Sequence, residues 1–383
     1  MNSKKLLTTL SSLKITIVSF STLFILVLVG TMDQVNLGIF LVQKKYFQSF
    51  FVWQQFGDRL TLPVFPGGFL IGWVMIINLT AAFIVRKLYQ IKKLGLMLIH
   101  GGIILLILGS GLTSYLAIES YMAIREGQTA SYSEHRRYTE LAILNTDYSD
   151  SEDHVTVIPT DLLQEGVRLT DPILPFHILV HASYENAQFI RRDPSMTPDS
   201  RVTHGAGKDL FVRPLPIFTQ DDQINFRTLI LTFFDPQTNE PLGSYLMSNG
   251  LKHPDILSVS GQDYTVRVRS RRYYNPYTIT LKDFKHDVYA GTDIPKNFSS
   301  LVALQDQGSD TPRDYLIYMN HPLRYLGKTY YQASFGENDS LSVLQVVQNP
   351  GWLMPYLSCL LISLGLLIQF LQHLIVFSKR KRT

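Results

Sequence analysis

Four stretches of this chain are long, apolar and free of Asp, Glu, Lys and Arg: 15–31, 69–85, 95–118 and 353–377. Inside a bilayer every backbone polar group must be satisfied within its own segment, so runs of this length predict four transmembrane helices. The first has a 17-residue apolar part without a small-residue cleavage site, so it is expected to remain as a span and not to be removed as a signal peptide. Between the third and fourth runs lies a block, 119–350, large enough to build its own core or two small ones.

Charge predicts which way the helices run. The N-terminal tail (1–14) carries Lys4, Lys5 and Lys14, and the loop 86–94 carries Arg86, Lys87, Lys92 and Lys93. The C-terminal tail (378–383) carries Lys379, Arg380, Lys381 and Arg382. These segments hold eleven basic residues and no acidic one, whereas the rest of the chain holds 24 basic and 31 acidic residues. The positive-inside rule therefore expects both tails and the 86–94 loop in the cytoplasm, with 32–68 and 119–350 outside. The net charge of +4 comes from this anchoring set, so it argues for contact with lipid and not for binding nucleic acid. The single cysteine, Cys359, lies inside the fourth run, which excludes dithiol exchange by this chain alone.

The 119–350 block reads as β-rich. Alternating or β-branched runs recur at 226–234, 264–269, 277–281, 315–319, 329–335 and 341–347, separated by turn-prone pairs such as Asp235-Pro236 and Asn249-Gly250. A sandwich or open barrel is expected. The stretch 191–207, rich in Pro, Ser and Gly, reads as a long exposed loop and is a candidate divider of the block into two lobes. The 32–68 segment gathers Phe40, Tyr46, Phe47, Phe50, Phe51, Trp53 and Phe56 around Lys44 and Lys45. Its composition suits a helix lying in the interface, serving either as an aromatic belt or as a surface that faces a ligand.

Within the third run, which otherwise holds nothing more polar than hydroxyls, stands His100. An ionisable group at membrane depth is costly and usually has a partner or a task. Imidazole ligates haem iron and other metals, but it also serves as a hydrogen-bonding link between helices, and both readings stay open on chemistry alone. Gly95, Gly102 and Gly109 form a small-residue stripe on one face of the same helix, and His100 points about 160° away from it. If the glycines pack on a sister span, His100 faces elsewhere. His373, expected at a depth similar to His100, is a candidate second or supporting ligand, or else an interfacial side chain. Asn78 is a candidate donor between helices. The remaining histidines lack metal-site spacing, and His177 and His181, four apart in a strand-like segment, are weak evidence. The pairs Arg136/Arg137, Arg191/Arg192 and Arg271/Arg272 read as solvated strand or loop faces.

The stretch IHGGIILLILGSGLTSYLAIESYMAIREGQTASYSE (99–134) resembles the third span and exit segment of ResB-type cytochrome c biogenesis proteins. YMNHPLRYLGKTYYQASF (318–335) and QNPGWLMPYLSCLLISLGLLIQF (348–370) resemble the same family's strand-turn motif and its run into the last span. GTMDQ (30–34) and VFPGGFLIGWVMIINL (64–79) fit its first two spans, and the likeness is weakest across 136–225.

The resemblance implies a System II (CcsB-type) protein of a bacterial plasma membrane ahead of a thylakoid. Such a protein works with a CcsA-like, tryptophan-rich membrane partner to move haem b across the bilayer and attach it to the CxxCH motif of apocytochrome c. It implies a subunit of a cytochrome c synthase complex without catalytic residues of its own. His100 matches the family's axial ligand to haem in transit. Arg86, Lys87, Lys92 and Lys93, just below it, are candidates to receive the propionates, although topology alone also accounts for them. Trp53, Trp73 and Trp352 are scattered and the chain stops after the fourth run, so the unfused form with a separate partner polypeptide is expected. The rival readings are an assembly or signalling scaffold and a redox subunit with a permanent b-type haem.

Overall fold

A computed structural model describes residues 3–57, 60–145, 154–191, 201–220, 223–291, 295–308, 311–336 and 340–380. The helices are α1 (Ser3–Leu10), α2 (Leu13–Val42), α3 (Gly68–Val85), α4 (Leu94–Leu116) and α5 (Met354–Arg380). Four helical stretches are long and apolar enough to cross a membrane, the first running from Lys4 to Phe47 through α2. These four helices fit a multi-pass membrane protein, and a large β-rich domain lies between the third and fourth candidate spans.

Asn78 ties the first two spans together. Its amide nitrogen donates to Leu10 O at 2.6 Å and Ser12 O at 3.0 Å, where α1 gives way to α2, and its carbonyl accepts from Thr16 Oγ1 at 2.7 Å. A buried amide that closes three polar contacts at a helix break is the donor expected from sequence, and it also satisfies carbonyls that the break would orphan.

The 32–68 segment is not an interfacial helix. α2 runs on past residue 31 because nothing breaks it before Gly38, which sits at φ 72°. Asp33 does not end the helix either, since Tyr46 Oη donates to it at 2.5 Å and Lys45 Nζ lies at 3.3 Å. A π-turn at Gln43–Phe47 follows, then an antiparallel hairpin, Phe51–Phe56 with Leu60–Pro66. The prolines at 63 and 66 exclude a helix, and the hairpin leaves Phe51, Trp53, Phe56, Leu60 and Leu62 exposed. Tyr46, Val52, Leu26, Ile71 and Met75 make a small core between α2 and α3.

Strands dominate the 119–350 block. One antiparallel sheet runs from Arg313–Tyr318 through Pro295–Asp306, Gln262–Val288, Thr129–Asn145, Ile118–Arg125, Leu341–Gln348 and Lys328–Gly336 to Leu323–Tyr325. It curls until Arg313–Tyr318 packs against Lys328–Gly336, enclosing Tyr277, Ile279, Leu281, Val302, Ile317, Tyr330 and Leu344. A second sheet, Pro241–Ser248, Thr228–Phe234, His177–Tyr184 and Arg168–Leu169, covers the far ends of the two longest strands. It buries Ile178, Leu229, Leu231 and Phe233 against Leu141, Val266 and Val268. One lobe is therefore barrel-like and the other a sandwich.

The stretch 191–207 does not divide these lobes, because Ile178 before it and Leu231 after it share one core; residues 192–200 lie outside the described residues. The transition falls at Asn275-Pro276 within Gln262–Val288. Tyr264–Tyr274 pairs chiefly with Thr129–Asn145, and from Tyr277 onward the main partner is Pro295–Asp306. Proline has no N–H for the ladder, which suits it to the point where a strand changes partners.

The domain sits on the membrane helices at two places. Gly38 lies against Thr219, where an added Cβ would come within 2.5 Å of the Thr219 carbonyl, and Arg137 covers the Phe40 ring at 4.7 Å. At the other, Asn349 Oδ1 accepts from Thr113 Oγ1 at 3.2 Å and Gly351 N at 2.8 Å, joining the exit of α4 to the entry of α5.

Candidate functional site around His100

The glycine stripe of α4 packs on α5. A Cβ built on Gly102 would lie 2.7 Å from Ile362 Cγ1 and 3.0 Å from Ser358 O. One on Gly95 would lie 2.9 Å from Gly365 O, and one on Gly109 2.6 Å from Met354 Cβ. The glycines are there because the two backbones approach too closely for any side chain.

His100 lies on the other side of α4, half-buried, on the same face as Ile107 seven residues on. Ile107 touches α3, its Cγ2 lying 3.6 Å from where Gly72 would carry a Cβ. The Nδ1 atom of His100 is 2.9 Å from Leu96 O, one turn earlier in the same helix. A carbonyl can only accept, so Nδ1 is the donor here, and in the neutral tautomer this leaves the lone pair on Nε2. Orientation of an imidazole by a backbone carbonyl, with the other nitrogen free, is the arrangement that metal-bound histidines use. Among the described residues, His100 makes no hydrogen bond to another helix.

His373 is not brought beside it. Gly95 faces Gly365 and Gln369 while Gly102 faces Ser358 and Ile362, so α5 runs antiparallel to α4. By that register His373 falls about eleven residues, roughly 16 Å, beyond the level of His100. It is exposed, with Nε2 2.8 Å from Gln369 Nε2. The expected shared depth is thereby corrected: two axial nitrogens must face one iron, and these two histidines of one chain do not.

Arg86, Lys87 and Lys92 are exposed between the end of α3 and the start of α4. Lys93 Nζ donates to Arg86 O at 2.5 Å, which closes this short turn and satisfies a terminal carbonyl of α3. Lys92 and Lys93 precede His100 by about two helical turns, and Arg86 and Lys87 lie where α3 ends. Cys359 is exposed on α5. Among the described residues no group of three His, Cys, Asp or Glu side chains could hold a metal ion. His181 Nε2 is 2.6 Å from Thr232 Oγ1 in the sandwich sheet, a structural contact.

His135 was passed over by the spacing argument. Its Nδ1 accepts from the backbone N–H groups of Arg137 and Tyr138, both at 3.0 Å. Burial, then Arg271 and Arg137, push its pKa down to about 4. Nothing in the local sequence signals this, since Arg271 joins it from a distant strand. The paired arginines are built into strands: Arg272 Nε donates to Glu134 at 2.8 Å and its guanidinium covers Tyr132 at 4.0 Å. Arg192 lies outside the described residues.

Comparison with known proteins finds two similarities. The model of the ResB-like family matches residues 257–343, the strands from Leu257 to Val343 that build much of the barrel-like lobe. Protein NrfI of Wolinella succinogenes is 26% identical over 294 residues, which cover 77% of this chain and 29% of NrfI. The chain thus spans less than a third of that relative's length. This chain is thus similar to the ResB-like family over a segment of its β domain, and to NrfI over most of its own length.

Proposed function

We propose that the protein works in cytochrome c biogenesis, carrying haem through the membrane in company with a CcsA-like protein for attachment to apocytochrome c. The observation that carries this reading is the imidazole of His100. It is held by its own helix through Nδ1, stands away from the α4–α5 contact, and offers Nε2 as a ligand within the bilayer.

Haem here is cargo, and the residues fit it on one side. His100 supplies one axial nitrogen, and apolar side chains such as Ile103, Ile104 and Ile107 line the same part of α4. Arg86, Lys87 and Lys92 stand below, where propionates would enter from the cytoplasmic side, while Lys93 is engaged with Arg86 O. The second axial ligand comes from the partner and not from His373, which lies too far along α5 in this chain. A ligand set shared between two polypeptides suits cargo that must leave, because separating the subunits withdraws one ligand. A permanent b-type haem is disfavoured because it needs two well-placed ligands, and the described residues bring together one. The exposed hairpin Phe51–Pro66 and the β domain then serve to dock the partner and present apocytochrome, with the domain on the outer side.

Affinity purification of the full chain from membranes, with and without its CcsA-like partner, tests the proposal through the haem spectrum. A b-type spectrum that depends on the partner, together with co-purification of the two chains, is expected. Stoichiometric haem in this chain alone would favour the permanent-haem reading, and haem-free complexes under all conditions would contradict the proposal.

A further inference from the structure

The motif YMNHPLRYLGKTYYQASF meets the entry of α5 at a place that haem carriage leaves without a role. A cavity of about 460 Å³ opens there, beneath the hairpin formed by Leu323–Tyr325 and Lys328–Gly336. Two cations line it. The Arg324 guanidinium lies 4.6 Å over the ring of Trp352, which in turn stands 6.2 Å from the ring of Tyr356. Lys328 Nζ donates to Asn275 Oδ1 at 2.5 Å. Among the described residues neither cation has a carboxylate partner. Burial alone holds Lys328 below the usual lysine range, which marks a positive charge kept partly out of water without a protein anion to offset it.

The rim is apolar and strained. Tyr325 pairs with Lys328 across a two-residue turn in which Leu326 has φ 43° and Gly327 φ 76°. Positive φ at both positions is the mark of a type I′ turn, which favours Asn-Gly, and a leucine in the first position costs backbone strain. That leucine is 64% exposed, next to the exposed Trp352, Leu353 and Tyr356 at the start of a membrane helix. Trp and Tyr at such a helix end sit at headgroup level, and the amino end of α5 adds partial positive charge.

We propose that this cavity binds a phosphate ester, supplied by the headgroup of an anionic phospholipid in the leaflet beside the β domain. Arg324 and Lys328 would hold the phosphate, while Leu326, Trp352 and Tyr356 would rest against the acyl chains. A soluble phosphate compound would use the two cations but would gain nothing from an exposed leucine held at a strained turn, which is why the lipid is the assigned source.

The full-length protein in detergent, carrying Trp53→Phe and Trp73→Phe so that Trp352 alone emits, tests this by fluorescence titration. Phosphatidylglycerol should change the emission saturably and phosphatidylcholine should not. Arg324→Gln with Lys328→Gln should raise the half-saturating phosphatidylglycerol concentration about tenfold or more. Leu326→Asn, a substitution the turn favours and which therefore keeps the fold, should weaken the lipid response as well. Equal responses to the two lipids, or an unchanged half-saturation in the double variant, would overturn the proposal. Inorganic phosphate that displaces phosphatidylglycerol at comparable concentration would move the source to solution and overturn the lipid assignment. A response to a metal-free porphyrin dicarboxylate with none to phosphatidylglycerol would give the two cations to another anion and overturn it as well.

Discussion

Glu140 and Arg269 face each other as register partners on neighbouring strands, with Arg269 Nε donating to Glu140 Oε1 at 2.9 Å and both side chains buried. Removing one member leaves the other charged and out of water, so Glu140→Ala should destabilise the β domain by about 3–5 kcal/mol in denaturant unfolding. Glu140→Leu combined with Arg269→Met should cost distinctly less. His135 makes a second prediction at this scale. Its pKa falls from 6.5 in the unfolded chain to about 4 in the fold, so between those values the unfolded state binds the extra proton. Stability should therefore be fully present above about pH 6.5 and decline as pH falls toward 4, and His135→Gln should flatten that slope. Neither feature stands out in the sequence, because Arg269 lies 129 positions from Glu140 and Arg271 reaches His135 from a distant strand. His100 did stand out, since a lone imidazole in a charge-free run is visible without any contact map. Its hydrogen bond to Leu96 was not visible, because it depends on a rotamer.

Among the elements, α4 was the most legible. Glycines at 95, 102 and 109 share a face at helical spacing, and that face meets α5 at backbone distance. Gly102→Val should drive its side chain into Ile362 and the Ser358 carbonyl, separating α4 from α5. The measurement is thermal stability in detergent, where a loss of several degrees is expected. Gly101→Val is the control, since a Cβ at Gly101 would meet nothing within 4 Å. The Phe51–Pro66 hairpin was misread because a cluster of rings carries neither a clean period of two nor one of 3.6. Its prolines and Gly57, at φ 66°, carried the signal instead. Six strand runs of the β domain were legible from alternation. Long strands such as Thr129–Asn145 were not, because they serve two cores in turn and so present no constant face.

For the whole molecule, the four apolar helices and the β domain follow from composition, since hydrocarbon admits no other reading of long charge-free runs. Sheet order does not follow, because the long strands pair with segments far away in the chain. Orientation rests on the distribution of basic residues. Tags at either terminus should be cytoplasmic and a cysteine placed at Asn249 should react only with an impermeant reagent added outside; labelling from the cytoplasmic side would reverse the account.

The central claim, that His100 is an axial ligand to haem in transit, meets its most direct test in the haem content of the purified complex. His100→Ala should leave the chain inserted and bound to its partner, with haem lost and cytochrome c assembly abolished. Added imidazole should partly restore both, by supplying the missing nitrogen to the vacated space. Full haem content and normal cytochrome c assembly in His100→Gln, which keeps a hydrogen-bonding side chain but offers no imidazole, would contradict the claim.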